Sequence, residues 1–310
     1  MIQETFLAGP EDSDQRLDIF LVEKLKRWAE QNRDFRSLSF SRTSIQDLIK
    51  RGKASVSGKA QKANYRLTCG EKVSVTLEDP LTPEEKIRPE AIPLDIFYED
   101  DQILVVNKPC GLLVHPAAGI TSGTLVNALL NHCKRLSTVN TRLRPGIVHR
   151  LDRETSGLMV VAKDNRSHRH LAEQFHNRQV KKRYVALVEG SVQFEEGSID
   201  APLARHRIYR EKKSVQFSGS AKQALTVYKV LQRFPRSTLV ALYPETGRTH
   251  QLRVHMAYLG HPLMGDEKYG EKKSFPRLAL HAQSLRFIHP KNEAELEFSS
   301  LIPEEFFIGL

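Results

Sequence analysis

Four prolines, Pro80, Pro83, Pro89 and Pro93, break up an acidic stretch between Glu78 and Asp95 and exclude a packed helix there. Each lacks an amide donor and fixes its own φ, and the like charges between them repel, so the stretch predicts an extended linker over 78–95. A linker in that place divides the 310 residues into a small module over 15–77 and a larger domain over 96–310, the second long enough to bury its own core.

Charge separates the two parts. Lys and Arg number 47 against 37 Asp and Glu, a net charge of +10 that suits a polyanion or an acidic surface. Arg16 to Lys62 alone holds twelve Lys and Arg against five Asp and Glu, so most of the excess is N-terminal. An isolated charge run is usually a solvated helix face. Here the pattern says more. Leu17, Phe20, Leu21, Leu25 and Trp28 recur at i, i+3, i+4 and predict an amphipathic helix. Ser41 is a candidate N-cap for a second helix with Ile45, Leu48 and Ile49 as its apolar stripe, and Lys50, Arg51 and Lys53 gather where it stops at Gly52. Short strands are expected over 54–57 and 73–77.

Beyond the linker, apolar runs alternate with turn residues. Ile103 to Val106, Leu112 to Val114, Leu158 to Ala162, Tyr184 to Val188 and Leu239 to Tyr243 read as strands, and Thr124 to His132, Asn165 to Arg178 and Thr249 to Leu259 as helices, giving a mixed sheet domain. No purely apolar run exceeds five residues and the chain opens without a signal-peptide pattern, so membrane spanning and secretion are not expected. Cys69, Cys110 and Cys133 have no close cysteine partner, which fits a reducing cytoplasm. His250, His255 and His261 are spaced by five and six rather than the four of a helical metal site, and no phosphate-binding or dinucleotide loop is present. The expectation is therefore no metal and no cofactor.

The residues suited to chemistry concentrate in His149-Arg150-Leu151-Asp152-Arg153-Glu154-Thr155-Ser156-Gly157-Leu158, between strand-like runs at 146–148 and 158–162. One carboxylate flanked by two guanidiniums on such a loop is either a structural ion pair or a group available as base or nucleophile, and the segment alone leaves both open.

That segment resembles the signature of the RluA-type pseudouridine synthases, and three more blocks agree in order and spacing. They are Asn107-Lys108-Pro109 through Gly111 to His115-Pro116, then Lys182-Arg183-Tyr184-Val185-Ala186, then Gly247 to His255 running on to His261-Pro262-Leu263-Met264-Gly265-Asp266. Leu280-His281-Ala282 is a weaker fifth, and together the blocks cover roughly residues 90–300. In the basic module, Arg16-Leu17-Asp18, Ser41-Arg42-Thr43, Ile49 to Gly52 and Val56-Ser57-Gly58 resemble the S4 RNA-binding domain. The whole chain is thus similar to the large-subunit ribosomal RNA enzymes of the RluD type.

The resemblance implies an α+β fold with a central mixed, largely antiparallel sheet flanked by helices, plus a small S4-like α/β domain. It implies Asp152 as catalytic aspartate, Tyr184 as active-site tyrosine and Arg253 as the aspartate's basic partner. Arg150 matches a residue that fills the gap left by an extruded base, and Leu280 falls near an apolar position of the pocket. Arg16, Arg42, Lys50, Arg51 and Lys53 are the candidates for RNA binding, through phosphates of a helix whose deep groove is hard to read. The expected reaction converts uridine to pseudouridine in RNA, most readily large-subunit (23S) ribosomal RNA, by a monomer, after the nucleotide leaves its helix. Asp152 could attack the sugar, add to the base or remove a ribose proton. The alternatives are a pseudouridine synthase of transfer RNA, a non-catalytic ribosomal RNA assembly factor, and a nuclease, which would ordinarily cluster carboxylates where this motif has one acid at its heart.

Overall fold

The computed structural model describes residues 2–32, 40–77, 87–117, 120–139, 144–270 and 275–307. The chain divides into two compact units, Met1–Lys86 and Ile87–Leu310. Residues 78–86 of the expected linker lie outside the described residues.

In the first unit, β1 (Ile2–Leu7), β3 (Lys72–Leu77) and β2 (Ala54–Val56) form an antiparallel sheet in that order, and α1 (Leu17–Gln31) and α2 (Arg42–Lys50) pack with it. Leu17, Phe20, Leu21 and Leu25 are fully buried, each contributing about 2 kcal/mol of apolar burial. Val73, Val75 and Leu77 point to the same core, leaving Lys72, Ser74 and Thr76 on the other face. Ser41 caps α2 by accepting the Ser44 amide, as its position predicts. The strand β1, ahead of the stretch read as the module, pairs along its length with β3, and its alternation is too polar to stand out.

A charge lies at the centre of this unit. Asp18 is completely buried in the first turn of α1 and accepts from Arg16 Nε and Nη2, Arg42 Nε and Gln46 Nε2 at 2.7–3.1 Å. Burial acts to raise its pKa, but these hydrogen bonds outweigh it and hold the carboxyl well below its usual range.

In the second unit the strands are β4 (Asp95–Glu99), β5 (Ile103–Lys108), β6 (Ser156–Ala162), β7 (Lys181–Glu189), β8 (Glu196–Asp200), β9 (Leu203–Arg205), β10 (Lys213–Val215), β11 (Leu225–Arg233), β12 (Ser237–Pro244), β13 (Leu280–Ile288) and β14 (Glu295–Ser299). Its helices are α3 (Leu125–His132), α4 (Asn165–His176) and α5 (Gln251–Tyr258). Among the described residues nine strands make one sheet in the order β4-β5-β6-β13-β7-β12-β11-β8, with β14 pairing the far part of β13; β9 and β10 form a separate hairpin. All its pairings are antiparallel except β6 with β13.

The short apolar runs are explained by burial on both faces of the central strands. Leu104, Val106, Met159 and Val161 meet Leu125, Val126 and Leu129 of α3 on one side, and Ile103, Val105, Leu158 and Val160 meet Leu171 of α4 on the other. Farther along, Ala186, Val188, Val240 and Leu242 pack against Leu252 and Met256 of α5, while Val185, Leu187 and Leu239 pack toward Phe306. No described helix is long and apolar enough to cross a membrane.

Leu112 to Val114 departs from expectation. Instead of a strand it is a capping segment, held between Pro109 and Pro116, whose Leu113 and Val114 carbonyls accept the Leu125 and Val126 amides that open α3. The run at 146–148 likewise makes only an isolated bridge, Ile147 to Val161.

The parallel contact of β6 with β13 is close. Gly157 has φ +119, and a Cβ there would overlap the backbone of Ala282. Replacing Gly157 with Ala should therefore separate β6 from β13 and destabilise the second unit by about 3 kcal/mol, read as a lower urea midpoint by circular dichroism. For the first unit the only tryptophan, Trp28, supplies a local probe, since it packs on that core. Asp18→Ala should lower the urea midpoint of Trp28 fluorescence by the equivalent of about 3 kcal/mol. Because the folded pKa of Asp18 lies below the unfolded value, its stabilisation is present above about pH 4 and lost as the pH falls below it, and the variant should lack that acid-dependent loss.

Candidate active site

Asp152 sits on the loop entering β6, and neighbouring residues hold that loop on every side. Leu151 is buried in the core under α3, and the Thr155 amide returns to the Asp152 carbonyl at 3.1 Å. The Asn107-Lys108-Pro109 block clasps it from the end of β5. Gly111 N–H donates to Arg153 O at 2.9 Å, Arg153 Nε donates to Gly111 O at 3.0 Å, and Lys108 Nζ donates to the carbonyls of Pro109, Leu112 and Arg153 at 2.8–3.1 Å. Burial of Lys108 pulls its pKa down to about 8, partly opposed by the negative charges around it.

Two histidines of the motifs are pins rather than proton carriers. The Val160 amide donates to His149 Nε2 at 3.0 Å and the ring stacks on Phe175, with burial and then Lys182 pushing its pKa down to about 3. His281 is pushed down to about 4 by burial and by Arg277. Its hydrogen bonds run in one direction: Arg277 Nη1 donates to Ser156 Oγ, Ser156 to His281 Nδ1, His281 Nε2 to Ser300 Oγ, and Ser300 to Gln283 O. Its neutral Ser156–His281–Ser300 links tie β6 to β13 immediately beyond the Asp152 loop, with the Arg277 guanidinium at the head of the chain.

Sheet order delivers the other residues. With β13 between β6 and β7, Gly157 pairs with Ala282 and Ala282 with Tyr184, so the motif segments lie side by side although far apart in sequence. Asp152, Tyr184, Arg253, Arg150 and Leu280 all line one cleft of about 610 Å³, and Asp152, Arg150 and Arg253 also face a neighbouring cleft of about 1100 Å³. The Asp152 side chain is 20% exposed, on the wall common to both. Tyr184 is half-buried on the cleft wall, and desolvation together with the charge of Asp152 drives its phenol pKa well above the usual value, leaving the hydroxyl protonated. Leu280 is buried in the core behind the cleft, and Arg150 is exposed at the mouth with no ion pair among the described residues.

Arg253 is buried in α5 and held by Asp266. Its Nε and Nη2 donate to the two Asp266 carboxylate oxygens at 2.7 and 2.6 Å, a bidentate pair, and Nη1 is left 3.7 Å from Asp152 Oδ2. Burial alone would lower the Arg253 pKa; the Asp266 hydrogen bonds and charge more than offset this and raise it. Asp266 also accepts from the Lys268 and Tyr269 amides. The Arg253 guanidinium lies 5.2 Å from the Tyr269 ring, and His250 Nε2 is 3.9 Å from Asp152 Oδ2. Reading the sequence gave no role to His250, Asp266 or Tyr269. The first two stand inside the motif blocks, and nothing local marks them as neighbours of Asp152. Conversely, Arg153, adjacent in sequence, turns to Gly111 and Glu154.

In the first unit Arg16 and Arg42 spend guanidinium donors on Asp18, which gives both a structural task. Lys50 is exposed, Arg51 pairs with Asp47 at 2.8 Å on the surface, and Lys53 is half-buried beside them. Among the described residues one His, Cys and acid grouping has metal-like spacing, Glu99, His132 and Cys133. Its carboxylate is already engaged by His132 and Lys163 at 2.8 and 2.9 Å, and none of the three lines either cleft.

Comparison with known proteins identifies the family. Residues 102–258 match the family model described as RNA pseudouridylate synthase. The chain is 43% identical over 307 residues to an uncharacterised RNA pseudouridine synthase of Bacillus subtilis, covering 98% of this chain and 96% of that protein. It is 44% identical over 241 residues to ribosomal large subunit pseudouridine synthase D of Zymomonas mobilis, covering 74% and 76%. Among solved structures, human RNA pseudouridylate synthase domain containing 1 superposes with a TM-score of 0.58 at 30% identity, covering 69% of this chain and 85% of that one. With motif blocks, sheet and cleft in agreement, the chain belongs to the RNA pseudouridylate synthase family and is a pseudouridine synthase of the RluA/RluD type.

Proposed function

We propose that this enzyme isomerises uridines of large-subunit (23S) ribosomal RNA, with Asp152 as the reacting carboxylate. The observation that carries the reading is the setting of Asp152: one carboxylate on the wall of two adjoining clefts, faced by an arginine whose other donors are fixed by Asp266. The substrate class is supported by a relative named for the ribosomal large subunit.

The reaction breaks the bond from ribose C1′ to base N1 and forms one to C5, with the C5 proton lost and a proton gained at N1. Oxidation state does not change, so no redox cofactor is required. Asp152 assists by attack on the sugar, addition to the base or removal of a ribose proton, each dividing one difficult step into easier ones. Arg253 neutralises and orients the carboxylate. Tyr184 presents a ring face to the base and, since its phenol stays protonated, a hydroxyl donor rather than a phenolate base.

A stacked or paired uridine cannot reach this cleft, so the nucleotide is extruded, at a cost of a few kcal/mol. Arg150 at the mouth fills the space it leaves, and Leu280 supplies apolar backing. The first unit acts as an S4-like RNA-binding module: two helices on a small sheet, with Lys50, Arg51 and Lys53 gathered at one helix end and the outer donors of Arg16 and Arg42 beside Asp18. We read the enzyme as a monomer acting on ribosomal RNA in the cytoplasm.

Asp152→Asn should lower single-turnover pseudouridine formation on a large-subunit ribosomal RNA transcript about a thousandfold while RNA binding persists. Strand breaks, or binding with no pseudouridine from the unaltered protein, would refute the assignment. A chain beginning at Ile87 should need roughly ten to a hundred times more RNA for half-saturation with its saturating rate largely kept. Unchanged efficiency and site choice in that shortened chain would remove the role given to the first unit.

A further inference from the structure

His250 stands between Asp152 and Tyr269, and its two ring nitrogens face different groups. Nδ1 is 2.7 Å from Tyr269 Oη, while Nε2 is 3.9 Å from Asp152 Oδ2. Tyr269 Oη also accepts the Lys213 amide of β10 at 2.8 Å. A phenol has one proton to give. With the Lys213 N–H already directed at its oxygen, Tyr269 completes the sequence by donating to His250 Nδ1, which leaves the imidazole proton on Nε2. The other tautomer would aim a nitrogen lone pair at the Asp152 carboxylate, like against like. Constraints from opposite sides of the ring therefore select the same form.

The backbone fits a residue held for a purpose. His250 precedes α5 with φ +58, in the left-handed region that a non-glycine residue enters at a cost. Burial disfavours the imidazolium, Arg253 and Lys268 add to that, and Asp152 and Asp266 oppose it, with the net shift downward. The ring accordingly meets Asp152 as a neutral N–H donor. From the side of Asp152, Arg253 Nη1 at 3.7 Å and His250 Nε2 at 3.9 Å converge on one oxygen, Oδ2. Both distances exceed a hydrogen bond, a looseness that substrate entry closes in many active sites.

We propose that His250, fixed as its Nε2–H tautomer by Tyr269, is a positioning residue that with Arg253 holds Asp152 by Oδ2 and reserves Oδ1 for the uridine. The inference rests on the reading of Asp152 as the reacting carboxylate.

Two measurements on the full chain test it. Nitrogen-15 spectra of histidine-labelled protein, with His250 assigned by its loss in His250→Gln, should show a protonated Nε2 and a bare Nδ1, and Tyr269→Phe should turn that into a mixture of tautomers. In single-turnover assays on a large-subunit ribosomal RNA transcript, His250→Ala and Tyr269→Phe should slow the saturating rate about ten- to a hundredfold at unchanged half-saturation. His250→Gln, whose side-chain amide can supply a donor near Nε2, should recover most of that loss, which separates a missing donor from missing packing. A protonated Nδ1 in the unaltered protein, an equal loss in the Ala and Gln variants, or a loss confined to half-saturation would overturn the proposal. Asp152→Asn is run alongside: if it is active, the parent reading fails and this one with it, whereas an inactive Asp152→Asn beside a fully active His250→Ala removes this inference alone.

Discussion

The bidentate pair of Arg253 with Asp266 is the interaction on which the geometry of the site depends. Both side chains are almost wholly buried, and either charge alone would carry a desolvation penalty of several kcal/mol. Together they satisfy one another, and the Lys268 and Tyr269 amides complete the coordination of Asp266. The result is an arginine with two of its three nitrogens fixed and the third directed at Asp152. Such a donor needs little rearrangement when charge shifts during reaction, the condition under which electrostatic stabilisation is most effective. Gly265 makes the arrangement possible, since a Cβ at that position would overlap the Arg277 carbonyl.

Around this pair, hydrogen bonds through two neutral imidazoles and one buried ammonium hold the Asp152 loop and its strand in place. His149 and His281 are both held neutral, chiefly by burial; His149 ties the Asp152 loop to the Val160 amide of β6, and His281 ties β13 to the Ser156 hydroxyl of β6. Lys108 fills the same office from the other direction, through three backbone carbonyls. A loop so held presents its carboxylate in one place, and loss of orientation by an ångström can cost a reaction of this kind about a hundredfold.

The small unit shows the same economy with a different outcome. Arg16 and Arg42, basic residues in the segments that resemble an RNA-binding module, converge on buried Asp18. The fold of the unit thereby draws on the same guanidiniums that the resemblance offers for RNA binding, since they satisfy the buried carboxylate. Lys50 and Arg51, at the exposed end of α2, carry no such burden on the core.

By itself the sequence determined what is local. Periodicity announced α1 and α2, Ser41 marked its own cap, short apolar runs announced the doubly buried strands, and the motif blocks named Asp152, Tyr184 and Arg253. Local patterns record burial and backbone preference, which neighbouring residues share. Less was legible where those signals were weak: β1, β11 and β13 mix polar with apolar residues, and the run at 112–114 spends its carbonyls on capping α3 instead of forming a strand. Tertiary structure alone decided which charge meets which. It turned Arg153 away from Asp152, brought Arg253 to it, and set His250 and Tyr269 beside both, because the order β6-β13-β7 and the placement of α5 join segments a hundred residues apart. Pairing across such separations follows from strand order and helix packing, which no stretch of the chain specifies alone.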